Sequence, residues 1–289
     1  MKILDRNGQE VIIDQSQNKL LKKLYGNVLG RCLLKVLTLP FITGIGGWYM
    51  NSALSKHRIK PFIQQNHINM DQYIEEDYPN YNTFFTRKIK AGQRPINMDK
   101  DILIAPADSK LSYYSLTSET ILTIKDTTYH LKDLLNNERL ASQYQEGICL
   151  IFRLAVDDYH RYCFIDNGIK EADQYIPGKF HTVNPIANDY YPIYKQNSRS
   201  YCILHTENFG DVVYMEVGAM MVGKICNHPI KEFKKGQEKG YFEFGGSTIV
   251  LLFKKDIVDI DQDIIMNSQN FYETKVCFGE KIGVKKSII

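Results

Sequence analysis

Several common signatures of chemistry are missing from this sequence. No two cysteines stand in a CxxC spacing, and there is no HExxH, no P-loop and no GxGxxG following a strand-like run. The usual metal, dithiol and nucleotide-binding motifs are therefore excluded, and no metal is expected. The six cysteines, Cys32, Cys149, Cys163, Cys202, Cys226 and Cys277, lie far apart, most of them inside apolar runs. That pattern reads as buried free thiols in a reducing compartment rather than a disulfide framework. The start, Met1-Lys2-Ile3-Leu4-Asp5-Arg6, has no apolar core, so a secretory signal is not expected. A net charge of +3 does not argue for nucleic acid as a partner. Internal repeats and low-complexity tracts are absent as well.

The residues that are present divide the chain near position 79. Residues 1–14 alternate enough for a short hairpin or extended arm. From Ser16 the pattern turns helical: Leu21, Leu24, Tyr25, Val28, Cys32 and Val36 recur at spacings of three and four, with Lys19, Lys22 and Lys23 on another face. Leu33 and Leu37 fall off the stripe, and Arg31 and Lys35 fall near its edge. The uncharged stretch from Val36 to Leu54 is broken by Pro40, Gly44, Gly46 and Gly47. It falls short of the roughly 20 predominantly apolar residues that a spanning helix needs. Such a region either lies on an anionic membrane surface or packs its stripe on the protein's own core or a partner subunit. The lysine-rich face with Trp48 and Tyr49 nearby favours the membrane. Lys56 to Asp77 reads as one or two further helices.

Beyond Pro79 the chain becomes a series of short apolar runs between turn signals. Ile148–Leu154, Tyr201–Leu204, Val212–Val217, Thr248–Phe253 and Lys275–Phe278 are predicted strands, with Asn208-Phe209-Gly210-Asp211 as a hairpin turn. The expected fold class is α+β: a helical, membrane-associating region over 1–78, then a β-rich sandwich- or barrel-like catalytic domain over 79–289.

Three segments stand out chemically. In Gly240-Tyr241-Phe242-Glu243-Phe244-Gly245-Gly246-Ser247-Thr248-Ile249-Val250, a Gly-Gly-Ser-Thr turn runs straight into a buried strand. Glycines there serve a plain hairpin by allowing positive φ. They equally let the Ser247 oxygen approach the Gly246 carbonyl carbon, where a strained peptide is primed to break. In Arg153-Leu154-Ala155-Val156-Asp157-Asp158-Tyr159-His160-Arg161-Tyr162, a base, two acids and two arginines follow a strand end, where catalytic groups are commonly presented. In Ala105-Pro106-Ala107-Asp108-Ser109-Lys110, an acid sits in a turn after an apolar run, which alone is an ordinary turn aspartate.

Together these segments resemble the phosphatidylserine decarboxylase family. The likeness continues, in order, through Phe84-Phe85-Thr86-Arg87, Arg94-Pro95-Ile96, His181-Thr182-Val183-Asn184-Pro185-Ile186-Ala187, Val217 to Ile225 and Lys235 to Gly240. The N-terminal Gly47-Trp48-Tyr49-Met50 and Lys60-Pro61-Phe62-Ile63 resemble the bacterial variant that carries GGST. Family members often have a second histidine three positions after the one matching His160, and it is usually given the base role in self-cleavage. Here that position is Cys163. A thiolate of lowered pKa at Cys163 is one candidate base, and His160, with the better-matched pKa, is the favoured one.

The resemblance implies that Asp108 orients or charge-stabilises the base and that the base deprotonates Ser247. It further implies that the chain breaks at Gly246–Ser247 into fragments 1–246 and 247–289, which stay associated. Ser247 would become a pyruvoyl cofactor that decarboxylates phosphatidylserine to phosphatidylethanolamine through a Schiff base, with His160 contacting the carboxylate and returning the proton. The implied partners are the phosphatidylserine substrate, the membrane surface and a second copy of the chain, and the implied place is the cytoplasmic side of the cell membrane, peripherally bound. Competing readings are a pyruvoyl enzyme for a related serine lipid or a soluble amino acid, a lipoyl-like or phosphocarrier module, and a non-catalytic membrane-docking relative.

Overall fold

The computed structural model describes residues 2–11, 24–28, 30, 34, 40–124, 127–179, 193–218, 224–245 and 247–287. Six strands form the middle of the main sheet: β1 (Ser109–Ser115), β2 (Ile148–Leu154), β3 (Arg199–Thr206), β4 (Gly210–Val217), β5 (Ser247–Phe253) and β6 (Glu273–Val276). They lie in the order β6-β1-β2-β5-β4-β3, every neighbouring pair antiparallel. Ile3–Leu4 adds a parallel strand beside β6, and Gly168–Lys170 followed by Glu232–Phe233 extends the other edge. The expected hairpin over Asn208–Asp211 joins β3 to β4, with Thr206 opposite Gly210.

Side chains of a strand point alternately to opposite faces, and here both faces are apolar. Along β2, Leu150, Phe152 and Leu154 join one core cluster, while Cys149 and Ile151 join another. The first face packs on two three-stranded sheets. One is Ile225–Asn227, Glu238–Phe242 and Arg161–Cys163; the other is Val258–Ile260, Lys281–Lys285 and Ile102–Ile104. The second face is covered by the short helices Leu131–Leu135 and Glu138–Ala141, with Tyr129, Tyr144 and Tyr194. The fold is thus α+β and dominated by sheet. Of the two shapes expected, it is a sandwich on one face and helix-covered on the other.

The N-terminal part contributes helices α1 (Pro40–Met50), α2 (Ile59–Gln65) and α3 (Tyr81–Phe85), with a 3-10 turn over Ala53–Arg58. The Asn80 side chain caps α3 by accepting from Thr83 N. Met50, Ile59, Tyr78, Tyr81, Phe84 and Phe85 make a separate aromatic cluster. Of the helix expected over 16–36, only Leu24–Val28, Gly30 and Leu34 are described, and Tyr25 and Leu34 are buried. No helix among the described residues is long and apolar enough to cross a membrane. The block His181–Ala187 and residues 219–223 lie outside the described residues.

Candidate active site

The site forms where two paired chain segments leave the main sheet for the smaller one. β2 runs through a turn at Ala155–Asp158 into Arg161–Cys163, and Glu238–Phe242 continues through Glu243–Gly245 toward β5. Ser247 stands opposite Leu154 in the main sheet, and Tyr241 opposite Arg161 in the smaller one. His160 and Ser247 are therefore brought to the same junction by the register of two antiparallel pairs.

The segment before Ser247 is tethered residue by residue. Phe242 N donates to the His160 carbonyl at 2.9 Å, Glu243 N to the Lys224 carbonyl at 3.0 Å, and Phe244 N to Asn82 Oδ1 at 2.9 Å. The Phe244 ring is edge-on to Tyr81 and Phe85, with centroids 4.9 and 5.3 Å away. Gly245 then takes φ +138°, a conformation that favours glycine. Gly246 lies outside the described residues, and Ser247 opens β5 fully buried.

His160 is fully buried against Phe85, with ring centroids 4.1 Å apart. Its Nδ1 lies 2.9 Å from the Asp158 carbonyl. A carbonyl only accepts, so Nδ1 carries the proton. Burial holds the imidazole pKa down at about 3, so the ring is neutral and Nε2 presents a lone pair. That Nε2, the Ser247 hydroxyl and the Thr248 hydroxyl are buried without a hydrogen-bond partner. Buried polar atoms are nearly always paired. An unpaired acceptor and an unpaired hydroxyl at one junction match the chemistry of a base and its nucleophile.

Asp108 is buried in the turn before β1, but the direct contact to His160 expected of an orienting acid is not made. Both its oxygens are taken by Arg94, with Nη2 2.6 Å from Oδ2 and Nε 2.9 Å from Oδ1, and Phe278 N also donates to Oδ1 at 2.7 Å. The turn is hydrogen-bonded to the strand after the histidine by Cys163 N, which donates to the Pro106 carbonyl at 3.0 Å. The atom that orients His160 is the Asp158 carbonyl. Cys163 is completely buried, and burial pushes its thiol pKa far up, the opposite of what a thiolate base needs.

Other residues at the junction lie in segments the sequence marks without giving them a role. Lys110 and Asp158 form a buried ion pair at 2.6 Å. Arg87, 1% exposed, stacks on Tyr73 and Phe84 at 4.2 and 5.0 Å, and its Nε and Nη1 have no acceptor. The Phe84-Phe85-Thr86-Arg87 block was the available signal for Arg87. Lys110 and Asp158 stand in two separate marked segments, and no sequence signal pairs them, because they are 48 positions apart. No cluster of metal-ligating side chains occurs among the described residues.

Comparison with known proteins gives a consistent picture. The phosphatidylserine decarboxylase family model matches residues 81–284. The chain is 47% identical to phosphatidylserine decarboxylase proenzyme 2 of Clostridium acetobutylicum over 283 residues, 97% of each chain. It is 45% identical to the phosphatidylserine decarboxylase proenzyme of Clostridium tetani over 93% of each chain. To that of Clostridium botulinum (strain Hall) it is 42% identical, over 99% of this chain and 100% of the relative.

Proposed function

The chain belongs to the phosphatidylserine decarboxylase family, and we propose that it is a proenzyme that cuts itself at Gly246–Ser247. It is a carboxy-lyase that converts phosphatidylserine to phosphatidylethanolamine. The observation that carries the self-cleavage reading is the pair of unpartnered buried atoms, Ser247 Oγ and His160 Nε2, with Ser247 two residues after a glycine, Gly245, at positive φ. The carrier-module and docking-protein readings draw no support from the relatives.

In this reading His160 Nε2 takes the Ser247 hydroxyl proton, and Oγ attacks the Gly246 carbonyl carbon. The peptide C–N bond breaks as the proton passes to the Ser247 nitrogen, leaving an ester. Loss of the Cα proton of residue 247 then eliminates the Gly246 carboxylate to leave a dehydroalanine, and water hydrolyses its imine form, releasing ammonia and leaving a ketone at residue 247. The resulting pyruvoyl group supplies a carbonyl that takes up the substrate amine and accepts the electrons left when carbon dioxide departs. His160 stands in an apolar wall with Phe85, and once its Nε2 has taken up a proton it is suited to hold the substrate carboxylate and return that proton. The charge of Asp108 and Arg94 acts from the neighbouring turn, and the unpaired N–H groups of Arg87 are donors available to a substrate anion.

The N-terminal region docks on the membrane in this proposal. Ile45, Trp48 and Leu54 are exposed, 51%, 72% and 70%, alongside exposed Lys56, Arg58 and Lys60. An apolar patch edged by cations fits an anionic bilayer surface. Fragments 1–246 and 247–289 remain held by the β2–β5–β4 ladder, and a second copy of the chain is a further partner. The protein works peripherally on the cytoplasmic side of the cell membrane.

The test is an intact mass spectrum of the purified protein beside Ser247→Ala. Two fragments broken at Gly246–Ser247, the smaller with a blocked pyruvoyl terminus, are expected for the first and one full-length mass for the second. A single full-length mass for both, persisting on native membranes, overturns the proenzyme reading. For docking, Trp48 is the only tryptophan, so its emission is expected to shift blue on vesicles containing phosphatidylserine. No shift would remove the docking proposal.

A further inference from the structure

Lys110 on β1 and Asp158 in the turn after β2 are both buried. Lys110 Nζ lies 2.7 and 2.6 Å from the two Asp158 carboxylate oxygens. Ala155 N donates to the same carboxylate at 2.7 Å, and Asp158 N donates back to the Ala155 carbonyl at 3.0 Å. Asp158 thus closes one turn twice, by side chain and by backbone, and Lys110 moors that turn to the main sheet. The carbonyl of the same residue receives the His160 Nδ1 proton. Lys110 has no competing duty on its row of the sheet. Arg153, its neighbour across the ladder, is the residue that satisfies Glu273, with Nε 2.8 Å from Oε1.

A buried ion pair returns little net stability, because desolvating both charges costs about as much as their attraction gives. Its value here is geometric. If the Asp158 carbonyl drifts from Nδ1, an imidazole is free to carry its proton on Nε2, and a ring protonated there has no lone pair for a hydroxyl. We propose that Lys110 and Asp158 are positioning residues that fix the tautomer of His160, keeping the proton on Nδ1 and the lone pair on Nε2. The role in cleavage rests on the reading of His160 as the base for Ser247.

The experiment uses full-length Ser247→Ala proenzyme, which stays uncut, with 15N-labelled histidine. The His160 signal is assigned by its loss in His160→Gln. The unsubstituted pair is expected to show a neutral ring protonated on Nδ1. Lys110→Met/Asp158→Leu replaces the pair by apolar groups of similar volume, an exchange buried pairs often tolerate. It is expected to give a mixture of tautomers and, with Ser247 restored, cleavage slowed about tenfold or more. Lys110→Arg, which keeps a cation for the carboxylate, is expected to restore both readouts. An unchanged tautomer with unchanged cleavage in the double variant overturns the proposal. So does a proton on Nε2 in the parent proenzyme, a result that stands even if the double variant does not fold. Full-rate cleavage by His160→Gln would instead sink the base reading, while the tautomer measurement still decides the positioning claim.

Discussion

Two turns flank the buried histidine, and each carries a carboxylate tied to a cation. In the turn before β1, Asp108 holds Arg94 at 2.6 Å; in the turn after β2, Asp158 holds Lys110 at 2.6 Å. As ion pairs they look alike, yet they hold different things. Asp108 spends its remaining capacity on Phe278 N, tying β1 to the chain beyond β6. Asp158 spends its own on Ala155 N, and its backbone carbonyl on His160. Burial raises the Asp158 pKa to about 6 despite Lys110. The comparison separates an acid that braces the frame of the site from one whose backbone reaches the reacting histidine. A motif can identify the first without showing which atom makes contact.

The strongest way to test that separation is to remove the histidine both turns surround. His160→Gln is expected to slow self-cleavage by about 10²- to 10⁴-fold, the usual contribution of a positioned acid–base group, followed as the fraction of cut chain over time. The same variant isolates an acid effect. His160 titrates near 6.5 unfolded and about 3 folded, so its contribution to stability is present above 6.5 and lost as pH falls through that window. Asp158 runs the other way, its contribution present below 3.8 and lost as pH rises through about 6. The histidine spans the wider interval and dominates. In uncut Ser247→Ala protein, the difference between unfolding curves with and without His160 is expected to reach up to about 4 kcal/mol between pH 6.5 and 3. A flat difference would mean the ring is not buried neutral.

The Asp108 turn makes a smaller and different prediction. Asp108→Asn leaves the partly buried Arg94 without its counter-charge, which is expected to cost about 2–3 kcal/mol of stability in denaturant unfolding. The His160 proton is expected to stay on Nδ1, because the Asp158 carbonyl is untouched. If the tautomer changes with Asp108 as much as with Lys110 and Asp158, the two turns are not distinct in function and the comparison fails.

Much of this was legible in the sequence, for identifiable reasons. β2 and β5 are buried on both faces, so they read as nearly continuous apolar runs, and the run Ile148–Leu154 coincides with the strand. Ser247 stood out because the glycines before it have a conformational task, which Gly245 performs at positive φ. The choice between sandwich and barrel was not legible, because it is made at edges such as Ile3–Leu4 and Glu232–Phe233, two-residue strands with no periodicity to read. The hold on His160 was not legible either. A backbone carbonyl is common to every residue type, and the Lys110–Asp158 pair that fixes it spans two strands.

Cys163 carries the smallest expected effect and the sharpest choice between candidate bases. Two hydrogen bonds run through its main-chain atoms: Cys163 N donates to the Pro106 carbonyl, and its carbonyl accepts from the Tyr214 hydroxyl at 3.2 Å. The thiol itself sits in the sandwich core, where burial keeps it protonated. Cys163→Ala preserves both backbone bonds and removes one small buried group, at a cost of about 1 kcal/mol. Self-cleavage is expected to stay within about threefold of the parent rate, because the lone pair on His160 Nε2 is unaffected. Complete loss of cleavage in a folded Cys163→Ala protein would assign the base to sulfur and leave His160 with the later proton alone.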